Sequence, residues 1–145
     1  MPADSELRLP HTWRPFGVRL AGVGFGSAVL IVALVAWVAL PAEVRATFTT
    51  FQRITMILLV LLAFAAGFAL MRCRAVATER GLTVVNGYRR RDFEWAELVA
   101  VHLPPGAPWA TLDLADGETC AVMAIQGSDG SRATRAVREL RSLMG

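Results

Sequence analysis

The sequence contains no lysine: all 15 of its basic residues are arginine, set against 12 Asp and Glu. With its abundant Ala, Val, Leu and Gly, this usage fits a GC-rich genome such as an actinobacterium's. There are two cysteines, Cys73 and Cys120, too few for a disulfide framework and not at CxxC spacing. They read as reduced thiols of a cytosolic compartment. There are also only two histidines. His11 lies near the N-terminus, and no His, Cys or carboxylate stands at ligand spacing from His102, so no metal is expected. Cys120 has no histidine beside it to make a nucleophilic pair. Asp113, Asp116 and Glu118 surround a turn and read as solvated carboxylates. No glycine-rich loop is placed to cradle a phosphate. The sequence therefore predicts no catalytic residue and no cofactor.

Excess positive charge is missing where a nucleic acid would need it. The net charge is +3, and from residue 72 onward ten Arg meet nine acids. Phosphate contacts need clustered excess cations, so nucleic-acid binding is not expected.

Charge of either sign is absent from two long stretches. Leu20–Leu40 gives 21 uncharged residues and Ile54–Met71 gives 18, in a chain that is 54% hydrophobic. A bilayer core takes about 20 helical residues. Trp13, Phe16 and Trp37 fall where interfacial aromatics belong. The first run is too long for a signal-peptide core, and the rest of the chain is too small to bury the second. The expected organisation is an N-terminal tail over 1–15, a two-helix transmembrane hairpin over 16–72 with spans at about 18–40 and 54–71, and a domain over 73–145. Arg8, Arg14 and Arg19 precede the first span, and Arg72, Arg74, Arg80 and Arg89–Arg91 follow the second; the connection carries Arg45 and Arg53. Cytoplasmic flanks keep the positive excess. A multi-pass protein of the inner or plasma membrane with both termini cytoplasmic is therefore expected, with the lipid bilayer as its first partner. Gly22 and Gly26 form a GxxxG, and Ala63 and Gly67 a small-xxx-small pair. Such residues let helix backbones approach closely, either within the hairpin or toward a partner helix or second copy.

After residue 72 the pattern becomes β. Leu82–Asn86 is followed by Asn86-Gly87, a hairpin signal in which both central residues take positive φ. Tyr88–Trp95 returns, Val99–Leu103 makes another strand, and Pro104-Pro105-Gly106 breaks it. Trp109–Leu114 alternates, and Thr119–Ile125 returns after Asp116-Gly117. Ser128, Asp129 and Ser131 are candidate N-caps for a last helix. Its apolar stripe is Ala133, Ala136, Val137, Leu140, Leu143 and Met144, and its opposite side carries Arg132, Arg135, Arg138 and Arg141. A short meander with one terminal helix describes a partly open barrel that the helix completes.

Gly81–Gly87, Trp95–Leu98 and the run Leu103-Pro-Pro-Gly-Ala-Pro-Trp-Ala-Thr-Leu-Asp-Leu-Ala-Asp-Gly117 resemble the bacterial pleckstrin-homology (PH)-like domain of small actinobacterial membrane proteins, the low-molecular-weight antigen 6 type. The resemblance covers about residues 72–144. It implies an α+β protein: a transmembrane helix hairpin, then a PH-like antiparallel barrel capped by a C-terminal helix. It brings no catalytic residues.

The strongest functional hint is Arg89-Arg90-Arg91. In a strand these residues alternate faces, so at least one contests the core unless the edge is open. The triad is either an edge strand protected by charge or a contact for anionic headgroups. Eukaryotic PH domains bind phosphoinositides through an early basic hairpin; Arg89 and Arg91 match its position, but the usual Lys is absent. The expected function is a membrane-anchored binding or scaffolding module that contacts a protein partner or membrane complex through Tyr88, Arg89, Arg90, Arg91 and Trp109. The alternative is anionic-lipid sensing through Arg72, Arg74, Arg89, Arg90 and Arg91. A third, an enzyme acting on a membrane substrate, would need a polar pocket holding His102 or Cys120.

Overall fold

The computed structural model describes residues 7–145 and divides into two compact units, one of residues 18–71 and one of residues up to 17 together with 72–145.

The chain runs β1 (His11–Trp13), α1 (Phe16–Ala39), α2 (Ala42–Thr47), α3 (Thr50–Arg72), β2 (Arg74–Ala77), β3 (Gly81–Asn86), β4 (Arg89–Glu94), β5 (Leu98–His102), β6 (Trp109–Leu114), β7 (Thr119–Gln126) and α4 (Ser131–Leu143). The first unit holds α2 and all of α1 and α3 except their domain-side ends, Phe16, Gly17 and Arg72. Both α1 and α3 are long and apolar enough to cross a membrane, and neither buries a residue. The connection between them contains α2, a short helix after Pro41, whose fixed φ suits the position just before a helix. Trp37 and Phe48 meet edge to face at 5.4 Å beside it. A Cβ on Gly22 would lie 3.6 Å from the Met71 sulfur, whereas one on Gly24, Gly26 or Gly67 would meet nothing within 4 Å.

The second unit is a seven-stranded α+β domain. Four strands pair antiparallel in the order β1-β2-β3-β4, and three in the order β5-β6-β7. β7 lies against β2 and β3, closing one corner between the sheets, and α4 packs on β5 and β7. Leu82, Val84, Val101, Leu112, Val122, Ile125 and Leu140 are almost wholly buried between these layers. Ala133, Ala136, Val137 and Leu140 are the buried stripe of α4, as its 3.6-residue period predicts.

Residues 11–13, read from the sequence as part of a tail, form the edge strand β1. His11, Thr12 and Trp13 pair with Ala77, Val76 and Ala75. Trp13 is 7% exposed and joins the core, and its indole N–H donates to Glu139 of α4 at 2.9 Å. The α1–α3 segment is therefore inserted between the first two strands of this domain. Three residues were too few for a periodicity signal, and so were the four of β2.

Two local expectations need correction. The β3–β4 hairpin exists, but its central residues are Gly87 and Tyr88, and Gly87 has a φ of 63° while no non-glycine residue among those described has a positive φ. This is the pattern of a type II′ turn, with the left-handed residue first. Asn86 is thereby released from the turn, and its side chain joins the sheets: Nδ2 donates to the Ala121 carbonyl at 2.6 Å and Oδ1 accepts from the Met123 amide at 3.1 Å. The N-cap of α4 is Gly130, with no side-chain cap. Asp129 instead accepts from the amides of Phe16 and Gly17 at 3.0 and 2.9 Å.

Candidate functional site

The corner between β4 and β5 is open. β4 pairs with β3 on one side, and a 3₁₀ turn over Trp95–Glu97 carries the chain into the second sheet. Along this gap runs a cleft of about 570 Å³ lined by Arg91, Asp92, Phe93, Glu97, Leu114, Ala115 and Asp116. The Glu94 amide turns away from β3 and donates to Glu97 Oε2 at 2.7 Å.

The arginine triad divides over this edge. Arg90 and Asp92 share the outer face, where Arg90 Nε and Nη2 grip the carboxylate at 3.0 Å each, and the Thr83 hydroxyl also donates to it. Arg90's hydrogen bonds, and then Thr83's, hold Asp92 below the usual carboxylate range, and Asp92 in turn raises Arg90. Arg91 shares a face with buried Phe93 yet stays exposed, because the open corner gives it room. Its guanidinium lies 5.0 Å over the Phe93 ring and 3.7 Å from Glu118. Arg89 is exposed at the hairpin end beside Tyr88, which is 62% exposed. Arg72 lies 5.5 Å over the Tyr88 ring. Arg74 is half-buried on β2 opposite Val85.

The structure thus brings Arg72 onto Tyr88, next to Arg89 in sequence, while Arg90 and Arg91 make ion pairs with Asp92 and Glu118. Trp109 starts β6 opposite Gln126, half-buried and outside the hydrophobic core. Val99, 63% exposed on β5, is an apolar surface residue that its apolar neighbours concealed in the sequence.

The remaining reactive groups are occupied elsewhere. His102 Nε2 lies 2.6 Å from Asp113 Oδ2 on the exposed face of β5 and β6. The thiol of Cys120 is buried and donates weakly to the Ala121 carbonyl, and burial pushes its pKa above the ordinary 9.0. Cys73 Sγ accepts from the Gly87 amide at 3.3 Å. Asp116 accepts from the Glu118 amide inside the β6–β7 turn. No cluster of three metal-ligating side chains occurs among the described residues.

Residues 72–143 match the family model described as a bacterial PH domain. The whole chain is similar to an uncharacterized protein of Mycobacterium tuberculosis, found in strains H37Rv and CDC 1551, and to one of Mycobacterium bovis. Each is 34% identical over 148 residues, an alignment covering 99% of this chain and 91% of the relative. No solved structure gives a significant match. A four-plus-three-stranded antiparallel fold capped by a C-terminal helix, a family match over its strands β2–β7 and helix, and full-length mycobacterial relatives agree: this chain belongs to the bacterial PH domain family.

Proposed function

We propose that the protein is a membrane-anchored scaffold: α1 and α3 span the cell membrane, both termini face the cytoplasm, and the PH-like domain holds a protein partner there. The bacterial PH domain match supports a binding or scaffolding module. The observation that carries the partner reading is the open β4 edge with its cleft, since an edge strand paired on one side presents backbone donors and acceptors to another chain. Arg90, Arg91 and Trp109 are the contacts we assign to the partner, with Val99 as an addition; Tyr88 and Arg89, at the hairpin end, belong to the second reading below. The open small-residue faces at Gly26 and Gly67 leave room for a partner helix or a second copy.

Two measurements test this. The full chain should stay with membranes through alkaline carbonate and leave only with detergent; recovery in the carbonate supernatant refutes anchoring. A photo-crosslinking residue in place of Arg90, on the β4 edge, should give a discrete protein adduct in intact cells. Its absence at Arg90 and also at Val99 refutes the partner reading.

A second reading has its own support. Arg72, Tyr88 and Arg89 cluster at the residue where α3 meets the domain, which favours contact with anionic headgroups.

A further inference from the structure

We propose that the end of the domain from which α1 and α3 depart is a two-sided arginine rim that seats on anionic lipid headgroups, with Arg14 and Arg132 on one side and Arg72, Arg74 and Arg89 on the other. The proposal rests on the reading that both helices span a bilayer. It adds which surface meets lipid, and it assigns two arginines that the sequence patterns did not.

Residues of the domain unit alone define the rim. The chain passes from β1 into α1 at Phe16 and Gly17, and from α3 into β2 at Arg72 and Cys73. At the first crossing, Asp129 holds the Phe16 and Gly17 amides. The Arg132 guanidinium lies 4.0 Å from the Phe16 ring centroid, and exposed Arg14 stands two residues before it. At the second crossing, Arg72 lies over Tyr88, and exposed Arg89 follows Tyr88 in sequence. The Gly87 amide on Cys73 Sγ, and Arg74 opposite Val85, put the β3–β4 turn at that same end.

Charge and chemistry select lipid. Asp129 is the carboxylate at the first crossing, and two amides already occupy it. α1 begins at Phe16 and α3 ends at Arg72, so spanning helices would bring these two crossings to the headgroups, where an anionic leaflet attracts juxtamembrane cations within a Debye length. Phe16 and Tyr88 supply the aromatic rings that favour this boundary. Arg90 and Arg91 are bound to Asp92 and Glu118 and lie outside the rim.

The test uses the full chain in nanodiscs of phosphatidylcholine alone or in equal mixture with phosphatidylglycerol, read by amide hydrogen exchange over residues 14–17, 87–90 and 130–134. Phosphatidylglycerol should raise protection in all three segments, by about fivefold per arginine engaged, and added salt should reverse the gain. Arg14→Gln with Arg132→Gln should remove the gain at 14–17 and 130–134, and Arg72→Gln with Arg89→Gln the gain at 87–90. Arg90→Gln with Arg91→Gln should leave all three gains in place. Protection indifferent to phosphatidylglycerol in a chain that does incorporate overturns the rim and spares the anchoring reading. So does a gain that depends on Arg90 and Arg91 instead. A chain that never incorporates overturns the anchoring itself.

Discussion

Trp13 joins the core of a domain whose other strands lie beyond both apolar helices. Trp13→Ala removes a buried indole and leaves Glu139 without its donor, so the domain should lose about 3–5 kcal/mol, measured by denaturant unfolding in detergent. Trp13→Phe keeps most of the volume and should cost about 1–3 kcal/mol. Asn86 supplies two hydrogen bonds that tie the hairpin end to β7. Asn86→Ala strands the Ala121 carbonyl and the Met123 amide and should cost about 1–3 kcal/mol. Gly81 is a sharper case: a Cβ there would lie 1.9 Å from the Phe93 carbonyl oxygen. Because that neighbour is backbone in a paired strand, Gly81→Ala should prevent the β3–β4 ladder from closing, seen as lost near-ultraviolet dichroism.

Cys120 gives a pH prediction. Burial raises its folded pKa above the ordinary thiol value of 9.0, and Arg91 partly opposes the shift. The neutral thiol is thus favoured by folding. Its contribution is complete below the ordinary thiol pKa and is lost as pH rises through the raised folded value. Peptide-resolved alkylation of Cys120 should therefore lag the unfolded chain at pH 8–9 and rise only at higher pH. Arg91→Gln should delay it further; alkylation as fast as in the unfolded chain would contradict the burial assigned here.

At the scale of elements, period and turn chemistry carried most of the information. β3, β4, β5, β6, β7 and α4 fall within two residues of the positions expected, from alternation in β6, from the 3.6-residue period in α4, and from the turn and breaker signals that bound the others. β1 and β2 are shorter than any window that separates a strand from a loop. The arginine triad was legible as a conflict with the core, but not in its resolution. That depended on where the two sheets part, which no local pattern records. The same holds for Asp129, whose partners Phe16 and Gly17 lie at the other end of the chain. Cap signals identify a residue that wants a backbone N–H, not whose N–H it will find. The contact of Arg132 with Phe16 is equally hidden, since the two are far apart in sequence and meet only after folding.

At the scale of the whole molecule, the apolar segment is an insertion within the domain. The family match begins at residue 72 and so leaves out β1, which pairs with β2 and places Trp13 in the core. A chain of residues 7–15 joined through a short turn to residues 73–145 should be water-soluble and unfold cooperatively. Residues 73–145 alone leave the β2 edge unpaired and the Trp13 site empty, and should aggregate or melt well below the joined chain. Equal stability of the two would show β1 to be dispensable.

The place of β1 in the ladder also fixes an order of events during synthesis. The ribosome delivers Trp13 first, yet its partner Ala75 is translated only after both apolar helices. Domains generally fold from the amino end as they emerge, but this one has nothing to pair with until its midpoint has been made. The β1 segment therefore stays unpaired with β2 until residues 75–77 have been made. If α1 and α3 span a bilayer as proposed, an exported β1 would be separated from its partner strand, so the pairing of His11–Trp13 with Ala75–Ala77 can form only in the orientation that keeps both strands on one side.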